Sequence, residues 1–600
     1  MRTAGTGTVA RARLAPVFVI AAFQALLLGI ALARLAATRA SVLGLDECLA
    51  CQAATLLQHE AGLWALAWLL LLGATAAWRA VRFAAVGALM VLLLVLVADL
   101  VTMDQFGLRL YLADAFKFGQ QPRFIVAYLD DAAGGLWVPL LLGVAVLAPW
   151  WTLRLARKHL ARPGARVALV ALAAASLLAY LLPDRTAHPL PWTYQNLVEA
   201  NWPSGVDRPF SDAYLADLLS NPPPALTAER CDAGLARAGD VIVVAVESLS
   251  WYHSGLLLGD GETLTPRLDA AAAQGAWWDR FLANGFTTDH GLIAMLAGRL
   301  PLPAVNRYRS RDVFAGFDGG GGSLPRRLAA DGYHTAFLTS GDLGFLGKGA
   351  WLDSLGFAHV EGHEAQDYEG EARYAFGAVN DELLYRRVLR WLDEERPGGA
   401  PVFAFVETVS THPPFAVPGA DANDEAGAFR FADHALGAFI DALDARGFFS
   451  EGLLIVTSDQ RALTPLRAAE LEAFGPEAGA RLPLVMLGDR LPVHGRQSVA
   501  GQMMDLPASL DWYLTERSCR RPDQGNLFAG EAPECIYRPD GNERDLIRAS
   551  CGPERADIEM DGDDTRVVEG RLPDAERRLR MLNYLRARLG VQDPNAGLVL

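Results

Sequence analysis

Charged side chains are almost absent from five stretches near the start of this 600-residue chain: Leu14–Ala33, Leu63–Trp78, Phe83–Val101, Leu136–Trp151 and Val167–Leu182. That absence excludes a single soluble domain, whose buried helices would not follow one another with so few charges inside them. The runs are candidate membrane helices, several of them near the lower length limit for crossing a bilayer. No small-residue cleavage site follows the first run and further runs come after it, which argues against a removed signal peptide. No internal repeat is present. A basic surface is missing too: residues 184–600 hold 39 Lys/Arg against 61 Asp/Glu, a balance that argues against nucleic-acid binding.

The charge that is present orients the runs. Arg2, Arg11 and Arg13, then Arg79 and Arg82, then Arg154, Arg157, Lys158, Arg162 and Arg166 fall on one side. The other side mixes Arg34, Arg39, Asp46 and Glu47, and later Asp104, Arg109, Asp114, Lys117, Arg123, Asp130 and Asp131. The positive-inside rule places the N-terminus in the cytoplasm, and five crossings send everything after Pro183 outside. Cysteine usage agrees. Cys48 and Cys51 fall in the first external loop, and Cys231, Cys519, Cys535 and Cys551 in the external part, with none assigned to the cytoplasm. Even numbers in an oxidising compartment suggest disulfides, and the last four allow three pairings. With no second pair or His nearby, Cys48 and Cys51 are read as structural rather than as a metal or redox pair.

Three regions follow: residues 1–183 as a five-helix membrane domain, 184–237 as a juxtamembrane connector rich in Pro, Trp and Asn, and 238–600 as an extracytoplasmic domain. Trp192, Tyr194 and Trp202 suit a segment near lipid head groups, and the loop 104–131 has amphipathic character. From 238 onward strands alternate with helices. Strands are expected at Val241–Val246, His334–Leu338, Val402–Val409, Leu453–Thr457 and Leu482–Leu487, with helices at Pro266–Gly275, Leu324–Asp331, Asp381–Leu392 and Phe431–Asp444. This alternation indicates an α/β fold with a mixed sheet between helices. Gly319–Gly322 lacks the Lys-Ser/Thr of a phosphate cradle and is read as a flexible turn. Residues 573–589 read as a basic amphipathic helix packed on the domain.

Four segments stand at or near the ends of these elements: Val246-Glu247-Ser248, Thr287-Thr288-Asp289, Ser410-Thr411-His412-Pro413 and Thr457-Ser458-Asp459-Gln460. Thr287 and Thr288 sit where a helix begins, before Leu292, Ile293, Met295 and Leu296. As N-caps they would be ordinary, but a helix N-terminus also favours an anion or a nucleophile attacking one. Glu, Thr, Asp and an amide could surround one divalent cation, which lowers a threonine's pKa and makes it nucleophilic. A neighbouring histidine could bind the transferred phosphate or protonate the leaving oxygen.

These pieces together resemble the alkaline phosphatase/sulfatase superfamily, and within it the lipoteichoic acid synthase-like, phosphoglycerol transferase branch. The resemblance runs through VIVVAVESLS, TPRLDAAAAQGAWWDRF, the threonine helix, DGYHTAFLTSGD with LGF after it, PVFAFVETVSTHPPF, LLIVTSDQR and DLPASLDWYL. It implies five membrane helices before an extracytoplasmic sulfatase-type domain, and the abundance of Ala, Arg and Gly with the extra cysteines points to a bacterial inner membrane facing a periplasm. The resemblance also implies transfer of phosphoglycerol or phosphoethanolamine from a phospholipid to an envelope glycolipid, glycan or polymer. By the same resemblance Glu247, Thr288, Asp459 and Gln460 hold the metal, with Mn²⁺ expected first and Mg²⁺ or Zn²⁺ as alternatives, and His412 faces the substrate. In sulfatases the reactive residue lies ten positions before the Gly of Leu-Leu-Thr-Gly-Arg. Here that segment is Met295-Leu296-Ala297-Gly298-Arg299, which selects Thr288, whereas other branches align on Thr287.

The last metal motif of these transferases is usually Asp-His, and here it is Asp459-Gln460; sulfatases use Asp-Asn, so an amide has precedent. Trp351, Asp342, Asp381 and Arg461 are further candidate lining residues. The rival readings are a phosphoethanolamine transferase, a hydrolase of the sulfatase or phosphatase type, for which Cys-x-Pro-x-Arg is missing, and an inactive envelope-binding descendant.

Overall fold

The computed structural model describes residues 6–41, 48–112, 114, 147–183, 191–202, 205–223, 230–237, 239–258, 263–303, 313–317, 322–396, 398–419 and 424–592. Two compact units emerge, one of residues 1–115, 133–202 and 464–467, the other of the remainder.

The first unit is helical: α1 (Thr6–Ser41), α2 (Leu49–Gly73), α3 (Arg79–Phe106) and α4 (Pro163–Tyr180). All four are long and apolar enough to cross a membrane, over 15–39, 49–73, 79–104 and 163–180. Of the fourth expected run, Leu136–Trp151, residues 136–146 lie outside the described residues, and 147–151 are helical. The second run needs correction. It was expected at Leu63–Trp78, but α2 starts fourteen residues earlier and ends at Gly73. The reason is polar pairing: Glu60, buried at 2% exposure, is met by Arg34 of α1, so its charge does not end the helix.

That pair belongs to a larger buried polar cluster. Arg34 also donates to the carbonyls of Thr193 and Gln195. Arg109 holds Asp99 through two hydrogen bonds of 2.9 and 3.1 Å and donates to the Trp192 and Gln195 carbonyls. Asn196 caps the short helix Leu197–Ala200 reciprocally with Glu199, which in turn meets His59. Residues 191–202 are thereby tied to the helices; Trp192 and Tyr194 are buried, and Trp202 is exposed. Most of the amphipathic loop expected at 104–131, namely 113 and 115–131, lies outside the described residues.

The second unit is built on an eight-stranded sheet: β1 (Val241–Val246), β2 (Ala276–Trp278), β3 (His334–Thr339), β4 (His359–Glu361), β5 (Val402–Glu407), β6 (Leu453–Ser458), β7 (Val485–Leu487) and β8 (Gly495–Gln497), in the order β8-β2-β7-β6-β1-β5-β3-β4. Only β7 runs antiparallel to its neighbours, making the sheet mixed. The all-apolar β1 is buried throughout because both faces are covered. Val241, Val243 and Ala245 enter one core with Trp278 and Phe337, while Ile242, Val244 and Val246 enter the other with Trp391 and Phe439. On the faces and edges lie α5 (Pro266–Gln274), α6 (Thr288–Leu292), α7 (Lys348–Leu355), α8 (Asp381–Arg390) and α9 (Glu425–Asp444).

Two boundaries differ from expectation. The helix expected from Phe431 starts at Glu425, where the Asp424 side chain accepts from the Gly427 N–H and caps it. The strand expected over Leu482–Leu487 is two, Arg481–Leu482 and Val485–Leu487, divided at Pro483, which has no N–H to give a ladder. Of the glycine run, 318–321 lie outside the described residues.

Of the stretch 184–237, residues 205–223 and 230–237 belong to this unit, and 184–190, 203–204 and 224–229 lie outside the described residues. The disulfides are Cys231–Cys519, across the paired strands Arg230–Ala233 and Arg517–Arg520, Cys535–Cys551, at the base of a four-stranded antiparallel sheet, and, in the helical unit, Cys48–Cys51. A closing helix, Ala575–Gln592, sends the buried Arg586 to the carbonyls of Pro303 and Val206.

Candidate active site

Parallel pairing sets the C-terminal ends of β1, β5 and β6 level. Ala245 lies opposite Glu407, and Val246 opposite Ser458. The residues that follow, Glu247-Ser248, Thr408 and Asp459-Gln460, therefore meet at one edge, where open α/β sheets hold their ligands. Helix α6 is laid onto this edge by Gly291. A Cβ there would fall 2.0 Å from the Asp459 carbonyl oxygen, so no larger residue allows the approach. Thr287 stands at the N-cap position, and Thr288 is the first helical residue.

Ser248 is the hub. Its N–H donates to Asp459 Oδ1 at 2.8 Å and its hydroxyl to Glu247 Oε1 at 2.7 Å. It does so with φ at 58°, a left-handed conformation that is uncommon outside glycine and tends to persist at functional sites. The Gln460 amide N–H group points toward Glu247 Oε1 (3.4 Å) and Ser248 Oγ (3.5 Å). The Glu247 backbone is held by Thr408 Oγ1, which accepts from its N–H, and by the Thr411 hydroxyl, which donates to its carbonyl.

The polarity is unbalanced. Burial and the Glu407 charge push the Glu247 carboxyl upward. Burial and the Glu247 charge push Asp459 well above its ordinary range, opposed by the Ser248 N–H and the Thr288 hydroxyl. Asp459 Oδ2, Gln460 Oε1 and Thr287 Oγ1 are buried without a hydrogen-bond partner among the described residues. Such atoms are expensive to leave bare. Bare oxygens beside two crowded carboxylates fit a divalent cation. Among the described residues no three His, Cys, Asp or Glu side chains converge as a metal set; the donors here are two carboxylates, an amide and hydroxyls. The N-cap role expected of Thr287 is not filled, since its hydroxyl makes no capping bond.

His412 lies on the loop after β5. Its Nδ1 is 2.6 Å from the Pro413 carbonyl, which can only accept, so Nδ1 carries the proton and Nε2 presents a lone pair. Burial first, and Lys348 after it, lower the pKa of His412 and keep the ring neutral near pH 7. Phe376 stands edge-on to it at 4.6 Å.

Two residues escaped the sequence reading. Lys348, one of three lysines in the chain, donates to both oxygens of buried Glu407, at 2.7 and 2.8 Å. A left-handed Leu346-Gly347 pair turns the chain to deliver it. The signal for Glu407 was available: like Glu247, it ends a wholly apolar strand. Lys348 had none, as its partner lies 59 positions away.

The remaining lining candidates each make defined contacts within the domain. Trp351 stacks on Phe314 and donates to the Phe317 carbonyl. Asp381, fully buried, accepts from the Val409 and Ser410 N–H groups and so shapes the His412 loop. Arg461 pairs with buried Glu470, and Asp342 accepts from the Gly344 N–H.

The fold is an α/β domain whose mixed sheet carries paired carboxylates and a threonine-bearing helix start at its C-terminal edge. The Sulfatase family model matches residues 239–512. Solved structures with similar folds include a protein in the alkaline phosphatase superfamily from Vibrio parahaemolyticus (18% identity, 64% of this chain and 96% of that one, TM-score 0.46). They also include the lipoteichoic acid synthase LtaP from Listeria monocytogenes (18%, 61% and 93%, 0.44) and the phosphonate monoester hydrolase of Agrobacterium radiobacter (15%, 57% and 90%, 0.38).

Proposed function

We propose that this protein is a membrane-anchored transferase that moves a phosphoglycerol-type head group from a phospholipid to an envelope glycolipid or glycan through Thr288. The observation that carries the reading is the placement of Thr288 at a helix start against Asp459, beside bare buried oxygens. The basic segments of 1–183 and the disulfide-bonded cysteines support an inner-membrane anchor with the α/β domain in the periplasm.

Thr288 Oγ attacks the phosphorus of the lipid. The Oγ–P bond forms as the P–O bond to diacylglycerol breaks; Thr288 loses its proton and the departing oxygen gains one. An acceptor hydroxyl then attacks the same phosphorus: its O–P bond forms as the Oγ–P bond breaks, the hydroxyl gives up its proton, and Thr288 regains one. His412, neutral with its Nε2 lone pair available, suits removal of that acceptor proton. Glu247, Asp459, Gln460 and Thr288 are the residues to hold a divalent cation, which when bound supplies charge stabilisation to the attacking and phosphoryl oxygens. Lys348 neutralises Glu407 at the same edge.

Phosphatidylglycerol fluorescent in its acyl chains tests this. The wild type should release fluorescent diacylglycerol and leave the head group on an added glycolipid. Release without transfer would instead establish a hydrolase, and activity retained in Thr288→Ala but lost in Thr287→Ala would move the nucleophile by one residue.

A further inference from the structure

We infer that the Cys48–Cys51 disulfide is a site of thiol–disulfide exchange whose reaction partner is a dithiol. The inference is independent of the transferase reading.

What the bond ties together is the first observation. Cys48 and Cys51 are three positions apart, at the N-cap and in the first turn of α2. That turn is already closed without sulfur: the Cys51 and Gln52 N–H groups donate to the Cys48 carbonyl at 2.9 and 3.1 Å. It is anchored as well. Buried Gln52 accepts from Arg39 of α1, and the Thr55 hydroxyl donates to the Cys51 carbonyl at 3.1 Å. Breaking so short a loop returns little freedom to the chain, so the bond adds little to the fold. The other two disulfides differ. Cys231–Cys519 joins paired strands across 288 positions, and Cys535–Cys551 is buried at 1% and 7% exposure. The structural role expected of Cys48 and Cys51 therefore fits the other four cysteines and not this pair.

The second observation is access and polarity. All four residues of Cys48-Leu49-Ala50-Cys51 are exposed, so a thiolate can reach either sulfur. The two sulfurs are not equivalent. Cys48 Sγ accepts from the Cys51 N–H at 3.0 Å and stands at the start of a 25-residue helix, whose unpaired N–H groups and dipole favour negative charge. A thiolate on Cys48 is thereby stabilised, as in the Cys-x-x-Cys pairs that open helices and exchange readily.

The exchange balances with the dithiol alone. Its thiolate attacks Cys48 Sγ; a mixed disulfide forms, the Cys48–Cys51 bond breaks, and Cys51 leaves as a thiolate and takes up a proton. The second thiol of the partner loses its proton and attacks the partner's own bonded sulfur. The partner's disulfide forms as Cys48 leaves as the stabilised thiolate. Two electrons have passed to this chain, and the reverse sequence oxidises the pair again.

The test equilibrates the full-length protein, in detergent micelles, with graded ratios of reduced to oxidised glutathione. Acid quench, alkylation of free thiols and mass spectrometry then report each of the three cysteine pairs. Cys48 and Cys51 should be reduced together at ratios that leave the other two bonds intact, with an equilibrium constant larger by about 100-fold or more. The melting temperature should not move as this pair opens. In Cys51→Ser and Cys48→Ser, each loaded with one glutathione, reduction should free Cys48 about ten-fold faster than Cys51, because only Cys48 has the helix N–H at its sulfur. Reduction of all three bonds over one range, reduction of this pair last, a fall in melting temperature as it opens, or equal release from the two single variants would each overturn the inference.

Discussion

Both units bury carboxylates, and they treat them in opposite ways. In the helical unit Glu60 faces Arg34, and Asp99 faces Arg109, and both guanidinium groups also donate to backbone carbonyls. At the sheet edge Glu247 and Asp459 crowd each other, their nearest lysine is committed elsewhere, and oxygens are left bare. The difference separates two uses of buried charge. A charge-paired cluster fixes chain geometry, here holding residues 191–202 on the helices. A cluster of like charges leaves its lone pairs open.

The largest effect expected from this contrast is catalytic. Thr288→Ala should reduce turnover by several orders of magnitude, because a covalent nucleophile is lost. Its effect on the melting temperature should stay small, since an N-terminal helix position is worth about 1 kcal/mol. Activity assays paired with melting curves separate the two, and a large fall in melting temperature would make Thr288 a structural residue.

Stability should sort the carboxylates next. Glu60→Gln strands a buried guanidinium and should destabilise the helical unit by about 3–5 kcal/mol. Glu247→Gln, measured in chelator, should leave stability unchanged or raise it, because it removes repulsion with Asp459. Equal destabilisation by both substitutions would erase the distinction.

A smaller effect should appear with pH. Asp459 holds its proton to higher pH in the folded protein than in the unfolded chain. Its contribution is fully present below the ordinary carboxylate range, about pH 4, and is lost as pH rises toward the folded value. In chelator, the stability of the wild type relative to Asp459→Asn should therefore decline as pH rises above about 4, and Mn²⁺ should abolish the decline. A flat or rising difference would mean that Asp459 is already paired.

The smallest effect concerns Lys348 and Glu407. If the pair acts as one, the double substitution Lys348→Met with Glu407→Gln should cost less in stability than the sum of the single ones, and a double-mutant cycle reads the difference.

Much of this edge was legible in the chain itself. The apolar runs 241–246, 402–407 and 453–458 could only be strands buried on both faces, and the acidic residues at two of their ends, Glu247 and Asp459, stood out as soon as the runs were read. Gly298, with a positive φ closing the helix, marks the register that points to Thr288. What was hidden depends on partners far off in sequence. The early start of α2 required Arg34 to be known as the neighbour of Glu60. The site lysine required the Leu346-Gly347 turn to carry it across to Glu407. The hub role of Ser248 could not be read either, since its N–H partner Asp459 lies 211 positions away.

The central claim is that Thr288 becomes covalently bonded to phosphorus. Mass spectrometry of the peptide carrying residues 287 and 288, after the protein is mixed with phosphatidylglycerol and quenched in acid before acceptor is added, tests it most directly. The account predicts a phosphoglycerol adduct on Thr288, absent in Thr288→Ala and lost when acceptor is supplied. A wild-type protein that turns over the lipid while both threonines stay unmodified, or that carries the adduct on Thr287, would contradict it.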